Sequence, residues 1–307
     1  MSEQVGTLLC IGEALVTLSP GDGLPLESTT ALRVSAGGAE FNVAVQLSRL
    51  GIATRFAGMV GADPWGRKLI ATLEDEGVDA SSVLTHPSRS TGCYLKDLKS
   101  EGASVYYYRA GSAASAFGAL PDGARYQVGH VHLSGITPAL SPACAGLVRH
   151  ELEQNEERTT SFDVNYRPGL WSPGEAGPVL LSLARRATFV FTGLDEAHQL
   201  WGCTTVAEIR ELLPEPAEVI VKDGPREAVA LTAGGRTSAA PLHVDVVDVI
   251  GAGDAFAAGY LASRLRGGAP ERALRAGHTL AAAVIASPTD HGNRLDIAAL
   301  AEEIAHV

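Results

Sequence analysis

Short apolar runs alternate along the chain with longer stretches of helical spacing. Residues 7–11 (TLLCI) read as a buried strand, and residues 14–36 alternate loosely among turn formers (Pro20, Gly21, Asp22, Gly23, Pro25), predicting short strands. Gly37 and Gly38 precede a run in which Val43, Leu47 and Leu50 recur at helical spacing and Gly51 closes the helix. The stretch ATRFAGMVGADPWGRKLIATLEDEGVD continues as strand, loop and helix, with Gly61, Asp63, Gly66 and Gly77 read as βα packing. Residues 91–98 and 103–109 flank the polar link Lys99-Ser100-Glu101-Gly102 and predict a β-hairpin. Period-two alternation puts Tyr94 and Lys96 on one face of its first strand, and Val105, Tyr107 and Arg109 on one face of its second. Such a Tyr/Arg face suits a solvated surface, a subunit contact or a binding site.

Beyond the hairpin, strands (HVHLSGI, TTSFDVNYR, ATFVFTG, AEVIVKDG) alternate with helices near 142–157 and 195–201. That alternation predicts a parallel sheet wound with helices, whose ligands sit outside the carboxyl ends of the strands. Ser134-Gly135, residues 163–167, residues 222–224 and residues 251–254 all fall at such ends, so they can converge on one cleft. Within HVDVVDVIGAGDAFAAGYLASRL (243–265), Val244, Val246, Val247 and Val249 read as a strand feeding the turn Gly251-Ala252-Gly253-Asp254, and a small-residue helix follows. Unpaired amides and the helix dipole at such a turn favour an anion. Asp254 is either an ordinary N-terminal helix charge or a base beside an anion cradle. A helix apolar enough to be buried makes the turn a supported platform, and phosphoryl transfer to an alcohol needs that pairing of acid and amides. No Gly-Lys-Ser/Thr follows, so this is not a Walker A loop.

The 307 residues can form one large α/β domain or two ordinary ones, and 46% hydrophobic with 19% charged residues is a globular composition. A net charge of −11 argues against a general nucleic-acid or anionic-membrane surface. It leaves room for an acidic substrate, because a few local arginines set a pocket's sign. Cys10, Cys93, Cys144 and Cys203 are scattered, without metal-ligand spacing, which predicts reduced thiols. No leader and no membrane-length apolar run is evident, and the expectation is a soluble, cytoplasmic protein.

The segment DVIGAGDAFAAGY (248–260) resembles the C-terminal signature of the ribokinase-like (PfkB) carbohydrate kinases. The motifs GGAEFNVAV, YYRAGSAASA (107–116), HLSGITPALSP (132–142), SFDVNYRPGLWSP (161–173) and DHGN extend the likeness over nearly the whole chain, most closely to the 2-keto-3-deoxygluconate kinases. The resemblance implies a three-layer αβα sandwich with a mainly parallel sheet and a small β-sheet lid. Residues 1–13, 37–88 and 112–307 would form the core, and 14–36 and 89–111 the lid. It implies ATP and Mg²⁺ as cofactors and phosphorylation of the terminal C6 hydroxyl of the keto-deoxy sugar acid. Asp254 would be the base, and the amides of Ala252, Gly253 and Asp254 the anion hole opened by Gly251. Gly37, Gly38, Asn42, Tyr94, Tyr107, Arg109 and Arg167 would hold the sugar acid, with the arginines near its carboxylate.

On the nucleotide side the resemblance implies Gly193, Glu196, Lys222, Gly224, Asp248, Ala252, Gly253 and His278. Glu196 would reach the metal mainly through water, Asp248 would lie near the phosphates, and His278 would line the adenine pocket unless it is an ordinary helix-surface residue. A homodimer or higher homo-oligomer through the lid is expected. Several positions depart from the family pattern. Val249 and Ile250 replace two threonines, Gly193 replaces an asparagine, and Glu227 stands where a glycine is usual and is expected to face solvent. Glu40 stands where many relatives carry a small residue, a departure that fits the 2-keto-3-deoxygluconate kinases. A fructokinase or other sugar kinase of the same fold, and a non-catalytic sugar-acid sensor, remain as alternatives.

Overall fold

The computed structural model describes residues 6–22, 24–99, 102–154, 158–287 and 289–292. Its strands are β1 (Thr7–Ile11), β2 (Leu15–Pro20), β3 (Leu32–Gly37), β4 (Thr54–Gly61), β5 (Asp79–His86), β6 (Cys93–Lys99), β7 (Gly102–Tyr108), β8 (Val128–Ser134), β9 (Thr159–Asp163), β10 (Phe189–Gly193), β11 (Glu218–Asp223), β12 (Glu227–Thr232) and β13 (Gly235–Ala239). Helices α1 (Ala39–Arg49), α2 (Pro64–Asp75), α3 (Thr137–Leu140), α4 (Pro142–Glu153), α5 (Pro173–Ala184), α6 (Leu194–Trp201), α7 (Val206–Leu212), α8 (Ala252–Leu265) and α9 (Pro270–Ile285) connect them. The nine-stranded sheet runs β13-β12-β11-β10-β9-β8-β1-β4-β5. It is parallel from β11 to β5, and β12 and β13 are added antiparallel at one edge.

Alternation along the buried strands builds two cores. Leu8 and Cys10 of β1 join Phe56, Phe191 and Ile220 under α1, α8 and α9, while Leu9 and Ile11 join Val131, Leu133, Val190 and Val219 under α4 to α7. Both faces of the sheet are therefore covered, which is the condition a parallel sheet requires. This is the expected three-layer sandwich.

A separate sheet in the order β3-β2-β6-β7 is assembled from two chain segments. It is not wholly antiparallel, because β2 and β6 pair in parallel with Val16 opposite Cys93. The hairpin has Tyr94 opposite Tyr107 and Lys96 opposite Val105, as period two requires; residues 100 and 101 of its turn lie outside the described residues. Asp63 caps α2 by accepting from the Gly66 amide at 2.8 Å, and it also takes the amide and hydroxyl of Thr91, so it pins the chain where it enters β6.

Two local expectations are corrected. The helix expected near 142–157 ends at Glu153, and residues 155–157 lie outside the described residues. The valine run before the glycine turn forms no strand. The Val247 and Asp248 amides both donate to the Ile285 carbonyl at the end of α9, at 2.7 and 3.1 Å, so the segment lies along a helix end rather than in the sheet. Val246, Val247 and Val249 are correspondingly exposed.

Helices α8 and α9 meet through glycines. A Cβ on Gly259 would fall 2.5 Å from the Ala276 carbonyl oxygen, which is backbone and cannot step aside. Gly259→Ala is expected to destabilise the fold by about 1–3 kcal/mol, read as a lowered urea midpoint with an unchanged m-value.

Candidate active site

A cleft of about 1270 Å³ opens at the carboxyl ends of the central strands, between the large and small sheets. Its floor is the start of α8. Gly251 takes φ +85°, and a Cβ there would lie 2.5 Å from the Asp290 carbonyl oxygen, so the turn requires glycine for both reasons. The first bond of the helical ladder is Ala255 N–H to Gly251 O, so the amides of Gly253 and Asp254 precede it. The Ala252 amide already donates to the Val249 carbonyl at 3.3 Å, which departs from the expected three-amide cradle. The Lys222 ammonium stands beside the turn, 3.5 Å from where a Cβ on Gly253 would be. Behind it, residues 255–263 of α8 are buried, as the small-residue pattern implied.

Asp254 projects from this first turn into the cleft. Its Oδ2 accepts from Asn42 Nδ2 at 2.7 Å. Burial pushes its pKa up to about 7; the Asn42 bond opposes this, the Asp163 carboxylate adds to it, and Arg167 and Lys222 pull the other way. Asn42 comes from α1, which opens with Gly38 at φ +130°, where a Cβ would strike the Glu13 carbonyl oxygen at 2.2 Å. The buried Asn42 Oδ1 has no hydrogen-bond partner. Neither does the buried Oδ1 of Asn165, whose backbone lies in the left-handed region at φ +38° just past β9.

Gly38, Asn42, Tyr94, Tyr107, Arg109 and Arg167 all line this cleft, with Tyr94 and Tyr107 coming from the small sheet. The two arginines differ. Arg109 is buried, lies over the Tyr107 ring at 5.4 Å, and pairs with the buried Glu13 carboxylate. Glu13 also accepts from Ser112 Oγ at 2.7 Å, and burial raises its pKa despite Arg109 and Ser112. Arg167 is 44% exposed, with Glu196 3.8 Å away. Glu40 turns its carboxylate into the sheet, where Oε1 accepts from the Ser134 amide and from the Ser134 and Thr137 hydroxyls at 2.7–3.1 Å. Gly12 makes room for it, since a Cβ there would overlap the carboxylate.

The cleft is lined as well by Gly193, Glu196, Lys222, Gly224, Ala252, Gly253 and His278, with Val244, Val246 and Val249 facing into it. Those valines stay solvent-accessible because they border an open cavity, which is why their apolar pattern imitates a strand. Lys222 Nζ bonds Asp163 Oδ2 at 2.9 Å; burial alone would lower its pKa, but Asp163, Glu196 and Asp254 together raise it. Glu196 accepts from the Gly193 amide at 2.7 Å and the Tyr166 amide at 3.0 Å, and burial raises its pKa although Lys222 opposes the shift. His278 is no surface residue. It is buried, packs edge-on against Phe256 at 5.1 Å and meets the Ala239 carbonyl at 3.0 Å. Glu227 keeps its carboxylate on Arg236 at 2.7 Å rather than turning it fully to solvent.

Two expected residues lie outside the lining. Gly37 backs onto Tyr94, where a Cβ would stand 2.8 Å from the hydroxyl. Asp248 is buried 2.5 Å from Lys96 Nζ, so its charge is met by an ion pair inside the protein and it does not face the cleft. Glu13 is an addition that sequence motifs did not single out, and Asn165, from the 163–167 stretch expected at the cleft, joins the lining. Among the described residues, no group of three or more His, Cys, Asp and Glu side chains converges as a metal-ligand set, and no helix is long and apolar enough to cross a membrane.

The pfkB family carbohydrate kinase model matches residues 6–294. The 2-dehydro-3-deoxygluconokinase of Bacillus subtilis (strain 168) is 33% identical over 290 residues, covering 91% of this chain and 89% of that protein. The 2-dehydro-3-deoxygalactonokinase of Haloferax volcanii is 30% identical over 292 residues, covering 90% and 89%. Among solved structures, a PfkB protein from Polaromonas sp. JS666 is 30% identical with a TM-score of 0.85, covering 95% of this chain and 98% of that one. Sequence and fold agree over almost the full length, and the chain belongs to the pfkB family of carbohydrate kinases.

Proposed function

We propose that this kinase transfers the γ-phosphoryl group of ATP to the C6 hydroxyl of 2-keto-3-deoxygluconate (2-dehydro-3-deoxygluconate), giving 2-keto-3-deoxy-6-phosphogluconate. The observation that carries the reading is one cleft holding Asp254, whose pKa burial raises to about 7, together with Arg109 and Arg167. A neutral ketohexose offers those guanidinium groups only hydroxyl oxygens, whereas a sugar-acid carboxylate pairs with them by stronger charge-assisted bonds. The names of the Bacillus and Haloferax relatives point to the same substrate class.

Asp254 Oδ accepts the proton of the terminal hydroxyl as that oxygen attacks the γ-phosphorus and the bond to the β-phosphate oxygen breaks, with ADP leaving. Asn42 orients the carboxylate through its amide, and its unpartnered Oδ1 is an acceptor for a sugar hydroxyl. The Gly253 and Asp254 amides and the Lys222 ammonium stabilise charge developing on the transferred group. Arg167, the more open arginine, takes the sugar carboxylate; Arg109, held by Glu13, supplies a second donor of fixed direction. The apolar wall of Val244, Val246 and Val249 with Phe256 and His278 suits a purine ring. Mg²⁺ would enter with the triphosphate and supply charge neutralisation there, and Glu196 and Asp195 of the cleft lining would hold it through water. The small sheet acts as a lid, shielding the site from water that would hydrolyse ATP.

Asp254→Asn is expected to lower kcat by ~10²–10⁴-fold, with both KM values near wild type in a coupled assay. Wild-type kcat/KM should fall tenfold per unit as pH drops below about 7, the pKa of Asp254. A carboxyl whose folded pKa exceeds its unfolded value disfavours the folded state once it ionises. The Asn variant should therefore melt higher than wild type at pH 8, with the difference vanishing near pH ~4. A rate profile flat from pH 5 to 8 would refute the base role.

Arg167→Ala should raise KM for the sugar acid by ~10–100-fold, corresponding to about 1.5–3 kcal/mol, and leave KM for ATP nearly unchanged. Arg109→Ala should also depress Tm, because it strands the Glu13 carboxylate in the interior. A kinase assay across gluconate-type and galactonate-type keto-deoxy acids, fructose and ribose tests the substrate class. Preference for a neutral sugar would overturn it.

A further inference from the structure

Lys96 takes no part in the roles above, yet it is one of the most deeply buried charges in the protein, with 2% of its side chain exposed. It comes from β6 of the small sheet, and its ammonium pairs with Asp248 and Asp290, both nearly as buried. Tyr94, on the same face of β6, donates its hydroxyl to the other oxygen of Asp290. Burial alone would lower this lysine's pKa; the two carboxylates outweigh it and raise the pKa above the usual value. Both acids touch the glycine turn. Asp248 Oδ1 accepts from the Ile250 amide at 3.0 Å, fixing the approach to Gly251. The Asp290 backbone packs against Gly251 itself, and its Oδ2 lies 2.9 Å from the Cβ position of Gly37, next to the glycine that opens α1.

We propose that Lys96 is a positioning residue for phosphoryl transfer: an internal monovalent cation, carried on the small sheet, that holds Asp248 and Asp290 together and so fixes the 251–254 turn with its amides and Asp254. The proposal deepens the kinase reading and rests on it. With the ammonium removed, two buried carboxylates would face each other without a counter-charge, and their separation would shift the turn they flank. A displacement of the order of 1 Å is enough to misalign an in-line attack. The same ammonium ties the sugar-facing Tyr94 strand to the phosphate-facing turn, so the two parts of the cleft share one anchor.

The test compares Lys96→Ala and Lys96→Met with wild type at fixed ionic strength in sodium, potassium, ammonium, methylammonium or tetramethylammonium chloride. Lys96→Ala should lose ~10–100-fold in kcat with both KM values changed only a few-fold. Small monovalent cations that fit the vacated space should restore part of kcat, and tetramethylammonium should not. Lys96→Met, whose side chain fills that space, should lose kcat without rescue. A kcat for Lys96→Ala within threefold of wild type, or a loss that no small cation relieves, overturns the proposal. Should Lys96→Ala fail to fold, the charge-balanced Lys96→Met/Asp290→Asn replaces it: a wild-type Tm with lowered kcat supports the positioning role, and a wild-type kcat overturns it. Wild type is run on the sugar panel in parallel. If it prefers another sugar, the substrate reading alone fails and the Lys96 comparison is made on that sugar.

Discussion

Charge taken out of water must be matched, and that constraint shapes this cleft. Asp163 is met by Lys222, Glu13 by Arg109, and Asp248 with Asp290 by Lys96, while Glu40 is held by hydroxyls and an amide. Asp254 is treated differently. Its hydrogen-bonded partner is the neutral amide of Asn42, and burial, the largest influence on it, carries the carboxyl up to about 7. A direct lysine partner would have left it a weak base. The neighbouring acids each have a cation or several donors, and this one has an amide alone as its direct partner.

The backbone beneath obeys a second constraint, close approach. Gly251 lies against Asp290, Gly38 against Glu13, Gly12 against Glu40 and Gly259 against Ala276. Each glycine lets one element press directly on the main chain or carboxylate of another, with no side chain as spacer. The turn at α8 is therefore located by contacts from several distant parts of the chain, and the two cores on either face of the sheet keep those contacts in register.

Much of this was legible in the residue order, because the signals were local. Thr7–Ile11 is a strand as its apolar run implied, and Leu194–Trp201 is a helix within one residue of its expected start. The glycine signature placed Gly251 and Asp254 at a helix N-terminus, where they are found. Failures came where the deciding partner is far away in sequence. Val244, Val246 and Val249 have strand composition, but they border a cavity whose other wall comes from α8 and α9. Asp248 looked like a phosphate neighbour from its place in the signature, yet its partner is a lysine 152 positions earlier on the small sheet. Glu13 belongs to no motif, and only the fold reveals that it holds Arg109.

The position of β1 has a consequence for how the molecule is made. This first strand sits between β4 and β8, so on emerging from the ribosome it has neither neighbour; its second arrives only when residue 134 has been synthesised. Likewise β2 cannot pair with β6 until some seventy further residues exist. The nascent chain therefore leaves one edge of the apolar run Leu8–Ile11 unpaired from the completion of β4 until β8 has been made, an edge that must avoid wrong partners in the meantime.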